Sequence, residues 1–78
     1  PNPFNPVINI RYKLYEHSMV QIDIYNLKGD MVGNLNNLEV SIGNHAVIWN
    51  ARNNPSGLYF VKILINQDIH TQKIMLLK

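Results

Sequence analysis

Val7-Ile8-Asn9-Ile10-Arg11-Tyr12-Lys13-Leu14 alternates between two chemistries along its length. Ile8, Ile10, Tyr12 and Leu14 fall on one face, and Asn9, Arg11 and Lys13 on the other. A period of two with one apolar side reads as a strand that is wet on one face. Met19 to Tyr25 repeats the pattern, with Val20, Ile22 and Ile24 opposite Gln21 and Asp23. Between them, Glu16-His17-Ser18 breaks the alternation. Asn26-Leu27-Lys28-Gly29-Asp30 reads as a turn in which Gly29 supplies a left-handed position. Met31–Leu35 reads as a short third strand broken or bulged at Gly33, and Leu38–Ile42 as a weaker strand of its own. After the Gly43-Asn44 turn, His45, Val47 and Trp49 share a face. Ala51–Gly57 is the longest loop. Leu58–Ile65 collects Tyr59, Val61, Ile63 and Ile65 on one side. Asn66-Gln67-Asp68 turns the chain into a last strand, Ile69–Leu77, apolar on both faces at its end.

No window sustains a helical period. Six or seven strands, with turn signals about every eight to twelve residues, predict an antiparallel sandwich, with a small closed barrel as the rival geometry. Tyr12, Ile22, Ile24, Val47, Trp49, Tyr59, Val61 and Ile63 are the expected core between two sheets ~10 Å apart.

The composition agrees. The chain has 78 residues, room for one small domain. Ten Ile, six Val and four Tyr favour pleated surface, and twelve Asn favour turns. The net charge of +2 is too weak a field to argue for nucleic acid. No apolar run approaches the ~18–20 residues of a membrane span. With no cysteine, neither a disulfide nor a thiolate metal site is available. The chain begins at Pro1 without Met, as expected of one module from a longer protein. Pro1-Asn2-Pro3-Phe4-Asn5-Pro6 reads as an extended proline-rich segment whose Phe4 pins it to the body.

Little in the chain resembles a catalyst. His17, His45 and His70 lie 28 and 25 positions apart, with no metal-ligand spacing among them. Glu16, Asp23, Asp30, Glu39 and Asp68 sit at turns or on polar strand faces and are expected to be solvated. Ser56 lacks a G-x-S-x-G setting, and the four glycines are too scattered to cradle a phosphate. No enzyme, no metal and no cofactor is expected. Tyr15, Tyr25 and Phe60 are the aromatic residues expected to face outward, and a sugar-stacking platform would need them in a row.

Five segments in register go further than composition. Pro3-Phe4-Asn5-Pro6 with Ile10-Arg11-Tyr12 and Leu14 resembles the opening of the type A C-terminal sorting domains of the type IX (Por) secretion system. Val20, Ile22, Ile24-Tyr25-Asn26, Gly29 and Val32 are similar to that family's next segment. Gly43, His45, Val47 and Trp49 match its G-x-H-x-V-x-W stretch. Pro55-Ser56-Gly57-Leu58-Tyr59 matches its P-x-G-x-Y, and Lys73 to Leu77 its terminal K-x-x-x-L. The chain departs from the usual pattern at Tyr15, where Pro is common, and at Asn50-Ala51, where Asp-Gly often follows Trp.

The resemblance implies an immunoglobulin-like antiparallel β-sandwich of about seven strands, related to a domain of flagellar hook-capping proteins. It implies a non-catalytic module that directs a larger parent protein, linked upstream, through the periplasm and across the outer membrane to the cell surface or beyond. Its partners would be secretion-machinery proteins of the outer membrane. The sorting-motif positions would be Pro55, Gly57, Tyr59, Lys73 and Leu77. Tyr12, Gly29, Gly43 and Trp49 would serve the fold. The last strand, apolar on both faces, is either covered within the domain or is an edge that a partner pairs with. The competing functional class is a carbohydrate-binding or structural immunoglobulin-like accessory module of a secreted hydrolase.

Overall fold

The computed structural model describes residues 6–78 and holds six strands there. They are β1 (Val7–Leu14), β2 (Ser18–Tyr25), β3 (Met31–Val40), β4 (Gly43–Asn50), β5 (Gly57–Ile65) and β6 (Asp68–Leu76). The expected docking of Phe4 lies outside the described residues. All pairings are antiparallel. One sheet has four strands in the order β3-β2-β5-β6, and the other pairs β1 with β4. The two sheets form the sandwich that the alternation predicts.

The apolar stripes meet between the sheets. Ile10 and Leu14 from β1 and Trp49 from β4 are buried with Val20, Ile22, Ile24, Tyr59, Val61, Ile63 and Leu76 from the larger sheet. Tyr12 and Val47 pack against this cluster from its margin. The Tyr12 ring stacks on His45 with centroids 5.5 Å apart, and His45 Nε2 lies 2.7 Å from the Ser41 carbonyl oxygen. His45 is therefore a half-buried rim residue.

Asparagine shapes two of the turns, although six of the twelve (Asn9, Asn34, Asn36, Asn37, Asn44 and Asn50) lie within strands. Asn26 Oδ1 accepts from the N–H groups of Lys28 and Asp30 at 2.9 and 3.0 Å, while Gly29 takes φ +88°. Asn66 takes φ 54° at the β5–β6 hairpin. Its backbone N–H donates to the Met19 carbonyl at 2.8 Å, and its side-chain oxygen accepts from Met19 N–H at 3.0 Å. The hairpin tip is thus fixed to β2. Asparagine suits both roles because it tolerates positive φ and carries a short acceptor.

Two expectations need correction. Met31–Leu35 and Leu38–Ile42 are not separate strands: β3 runs from Met31 to Val40, and Ser41-Ile42 connects it to β4. The pairing with β2 skips one residue beside Gly33 and another at Leu38, so the register shifts while the strand continues. At Gly33 a Cβ would lie 3.0 Å from Trp49 Nε1 and 3.1 Å from Ile24 Cδ1. The glycine lets the indole lie against the backbone of the opposite sheet. The second correction concerns Asp23, which is 2% exposed. Its carboxylate accepts from Asn34 Nδ2 at 2.7 Å and Gln21 Nε2 at 3.0 Å. Asp23 lies on a central strand, opposite Asn34 on one side and Lys62 on the other, and those neighbours shut out water.

Tyr59 has the hydroxyl partner that a buried tyrosine needs. Its O–H donates to the Pro55 carbonyl at 2.6 Å, four residues upstream at the corner that opens β5. A tyrosine closing such a corner is a hallmark of immunoglobulin-like sandwiches.

Two measurements test these contacts. Gly33→Ala should lower the unfolding free energy by about 1–3 kcal/mol through overpacking against Trp49, with the β-sheet circular dichroism retained. Tyr59→Phe should cost about 1–2 kcal/mol in denaturant melts, because it leaves the Pro55 carbonyl without its donor.

Candidate functional site

Pro55, Gly57, Tyr59, Lys73 and Leu77 are brought to one end of the β5–β6 hairpin. The register sets Gly57 against Leu76, Leu58 against Met75, Tyr59 against Ile74 and Phe60 against Lys73. Gly57 opens β5 at φ +153°, a conformation that residues with a side chain rarely adopt. The chain end is tied to the same corner. Lys78 N–H donates to Ser56 Oγ at 3.0 Å, and Lys78 Nζ donates to the Arg52 carbonyl at 2.7 Å. These ties were not anticipated, because neither Ser56 nor Lys78 carries a spacing signal.

Within this group the residues divide by face. Tyr59 and Leu76 point into the core, at 3% and 2% exposure. Ile74 packs against it. Alternation then sends Leu58, Phe60, Lys73 and Met75 to the outer face of the four-stranded sheet. Met75 is 59% exposed, Ile69 62% and Leu77 78%. Leu58, Phe60 and Leu64 are half-buried beside them. β6 pairs with β5 on one side and forms an edge of the sheet on the other. The last strand is therefore buried along only one face, through Leu76 and Ile74. Its outer face and its free edge are open.

Tyr12 and Gly43 lie outside this group, whereas the turn of Gly29 borders it: Asn26, Leu27 and Lys28 line a cleft with Pro55–Tyr59. Gly29 and Gly43 occupy positive φ beside the turns expected of them. Trp49 packs edge-on to Tyr59, with ring centroids 5.2 Å apart. The turn in front of the site thereby rests on the core.

The outward aromatic residues do not form a row. Tyr25 and Phe60 are paired across β2 and β5, with Lys62 Nζ 5.6 Å from the Tyr25 ring centroid. Tyr15 is 79% exposed but follows β1 on the other sheet. A flat sugar would not meet all three at once. Among the described residues, no group of three or more His, Asp or Glu side chains is placed to hold a metal ion. No helix there is long and apolar enough to cross a membrane.

Comparison with known families matches the secretion system C-terminal sorting domain over residues 1–77. Searches of curated proteins and of solved structures gave no significant match. A domain of this kind implies engagement with the secretion machinery, attachment to a parent protein, and delivery to the cell surface or the extracellular space. The matched profile spans all but the last residue, and the sandwich it implies is the fold observed, so the chain belongs to the C-terminal sorting domains of the type IX secretion system.

Proposed function

We propose that the outer face and free edge of β6, with the Pro55–Tyr59 corner beside them, form the surface that the outer-membrane secretion machinery reads. One observation carries this reading. Lys73, Met75 and Leu77 stand on the open side of an edge strand whose opposite side is anchored by Leu76. An apolar edge left in this state is a liability unless a partner covers it. Strand addition supplies backbone hydrogen bonds, and alternate side chains give specificity. The module is non-catalytic and acts as an address. Its parent reaches the periplasm by an N-terminal signal peptide, crosses the outer membrane under the direction of this module, and arrives at the cell surface.

Pro55, Gly57 and Tyr59 act through the fold: they shape the corner that holds the chain end. Lys73 and Leu77 act by contact. The two roles separate by experiment. Residues 1–78 fused to a reporter should be exported by a host with the secretion system. Lys73→Glu with Leu77→Asp should reduce export at least about tenfold while leaving the melting curve within about 0.5 kcal/mol of the parent, as expected for exposed positions. Tyr59→Phe should lower stability and reduce export only as far as unfolding does. Periplasmic retention of the folded parent fusion would overturn the sorting reading, and full export of the double variant would overturn the role of β6. Deleting residues 69–78 is less informative, because it also removes Leu76 from the core. Binding to the machinery rests on strand pairing and apolar contact, so its affinity should change less than about threefold between 50 and 200 mM salt.

A further inference from the structure

The smaller sheet leaves β1 with a free edge. The larger sheet has four strands, whereas the smaller has two among the described residues. Constant-type immunoglobulin sandwiches pair a four-stranded sheet with one of three. The Pro6 carbonyl accepts from Ala51 N–H at 2.9 Å, so even-numbered residues of this segment direct their backbone toward β4. The Arg11 carbonyl points the other way and accepts from Gln72 Nε2 at 3.4 Å. Val7, Asn9, Arg11 and Lys13 therefore turn their N–H and C=O groups toward the open side of the sandwich, above β6.

A groove of about 420 Å³ opens on that side at the end of β1, from Tyr12 onward. Its floor includes Ile63, Ile65, His70 and Gln72, and its wall is β1 at Tyr12 and Leu14. The long Gln72 contact is the hydrogen bond that bridges it among the described residues. The opposite seam differs: Trp49 packs against Gly33, and a two-residue turn joins β3 to β4.

We infer that the free edge of β1 accepts an extended segment of a partner protein in which apolar and acidic residues alternate. The backbone of that segment would pair with Asn9, Arg11 and Lys13 and displace the Gln72 side chain. Its inward side chains would lie over Ile63 and Ile65, which calls for apolar residues. Its outward side chains would lie beside Arg11 and Lys13, both exposed on the solvent face, which calls for carboxylates. Glu16 and Asp68 line the groove, and they further exclude acid from the inward positions. This surface borders the free edge of β6 at His70 and Gln72 but lies apart from its outer face and from the Pro55–Tyr59 corner, and the inference does not rest on the sorting reading.

The test uses the 78-residue chain, a capped nonapeptide of alternating valine and glutamate, and a peptide of the same composition in two blocks. Amide exchange and NMR titration should show saturable binding of the alternating peptide, with protection at Asn9, Arg11 and Lys13. The block peptide should bind at least about tenfold more weakly. Arg11→Glu with Lys13→Glu, both at exposed positions, should weaken the valine–glutamate peptide by about threefold to tenfold. The same variant should regain binding with a valine–lysine peptide. A second variant, Arg11→Pro, removes one edge donor and should abolish protection at that edge. Its fold is checked by the unchanged amide spectrum of β5. Absence of saturable binding, equal binding of the block peptide, or protection at β6 in place of β1 would overturn the inference.

Discussion

The contact on which the sandwich depends is the indole of Trp49 held between the two sheets. It lies against the backbone at Gly33, packs edge-on to Tyr59, and comes from a strand whose ladder partner among the described residues is β1. A two-stranded sheet is marginal alone and must rest on something. Here the rest is provided by one large ring meeting a glycine and an aromatic neighbour. Tyr59 extends the chain of contact through its hydroxyl to Pro55, and the neighbouring Ser56 receives the N–H of Lys78. The site at the chain end is thus positioned by a run of contacts that begins in the core.

This chain of contacts gives a physical meaning to the residues that the family resemblance singles out. Gly57 and Tyr59 build the corner, and the corner determines where the last residues of β6 lie. Lys73, Met75 and Leu77 make no comparable contribution to the core: Leu77 is 78% exposed and Met75 59%. Residues of the two kinds sit beside one another, yet they answer to different constraints. Substitution in the corner changes stability first, whereas substitution on the open face leaves the core intact. The exposed face also explains why β6 reads as apolar on both sides in sequence. One apolar set, Ile74 and Leu76, packs inward, and the other, Ile69, Met75 and Leu77, has no cover among the described residues.

Much of this was legible in the residues. The period-two stripes of β1, β2 and β5 located those strands to within a residue, because each buries one face against the other sheet. All eight expected core residues lie in or against the core. What failed had identifiable causes. At Gly33 a break or a bulge was expected; the strand continues with a register shift beside the glycine, and local pattern gave no sign that the group approaching its backbone is the Trp49 indole. Asp23 looked solvated because alternation assigns it to the polar face. Alternation cannot tell that a central strand's outer face is covered by its cross-strand neighbours. Strand order was illegible as well, since it depends on which sheets stack and not on any local pattern. In the site, the resemblance supplied the residues, and parity along β6 was the available signal for separating inward Leu76 from outward Lys73 and Met75.

The edges of β1 and β6, on one side of the sandwich, follow from the same economy of size. A chain of 78 residues that spends four strands on one sheet has little left for the other. The smaller sheet then ends at β1, and the larger ends at β6, on the same side of the molecule where Gln72 reaches the Arg11 carbonyl. Natural sheets protect such edges with charge or with cover. β1 carries Arg11 and Lys13 on its solvent face, so it resists pairing with another basic or apolar strand and favours an acidic one. β6 carries one lysine, Lys73, beside Ile69, Thr71 and Met75 on its outer face, so its protection by charge is weaker and its selectivity rests more on shape. The two edges are therefore unlike in chemistry although they are neighbours in space. A partner that reads the outer face of β6 leaves β1 available to a segment chosen by charge, whereas a strand added to the β6 edge would meet that segment at Gln72.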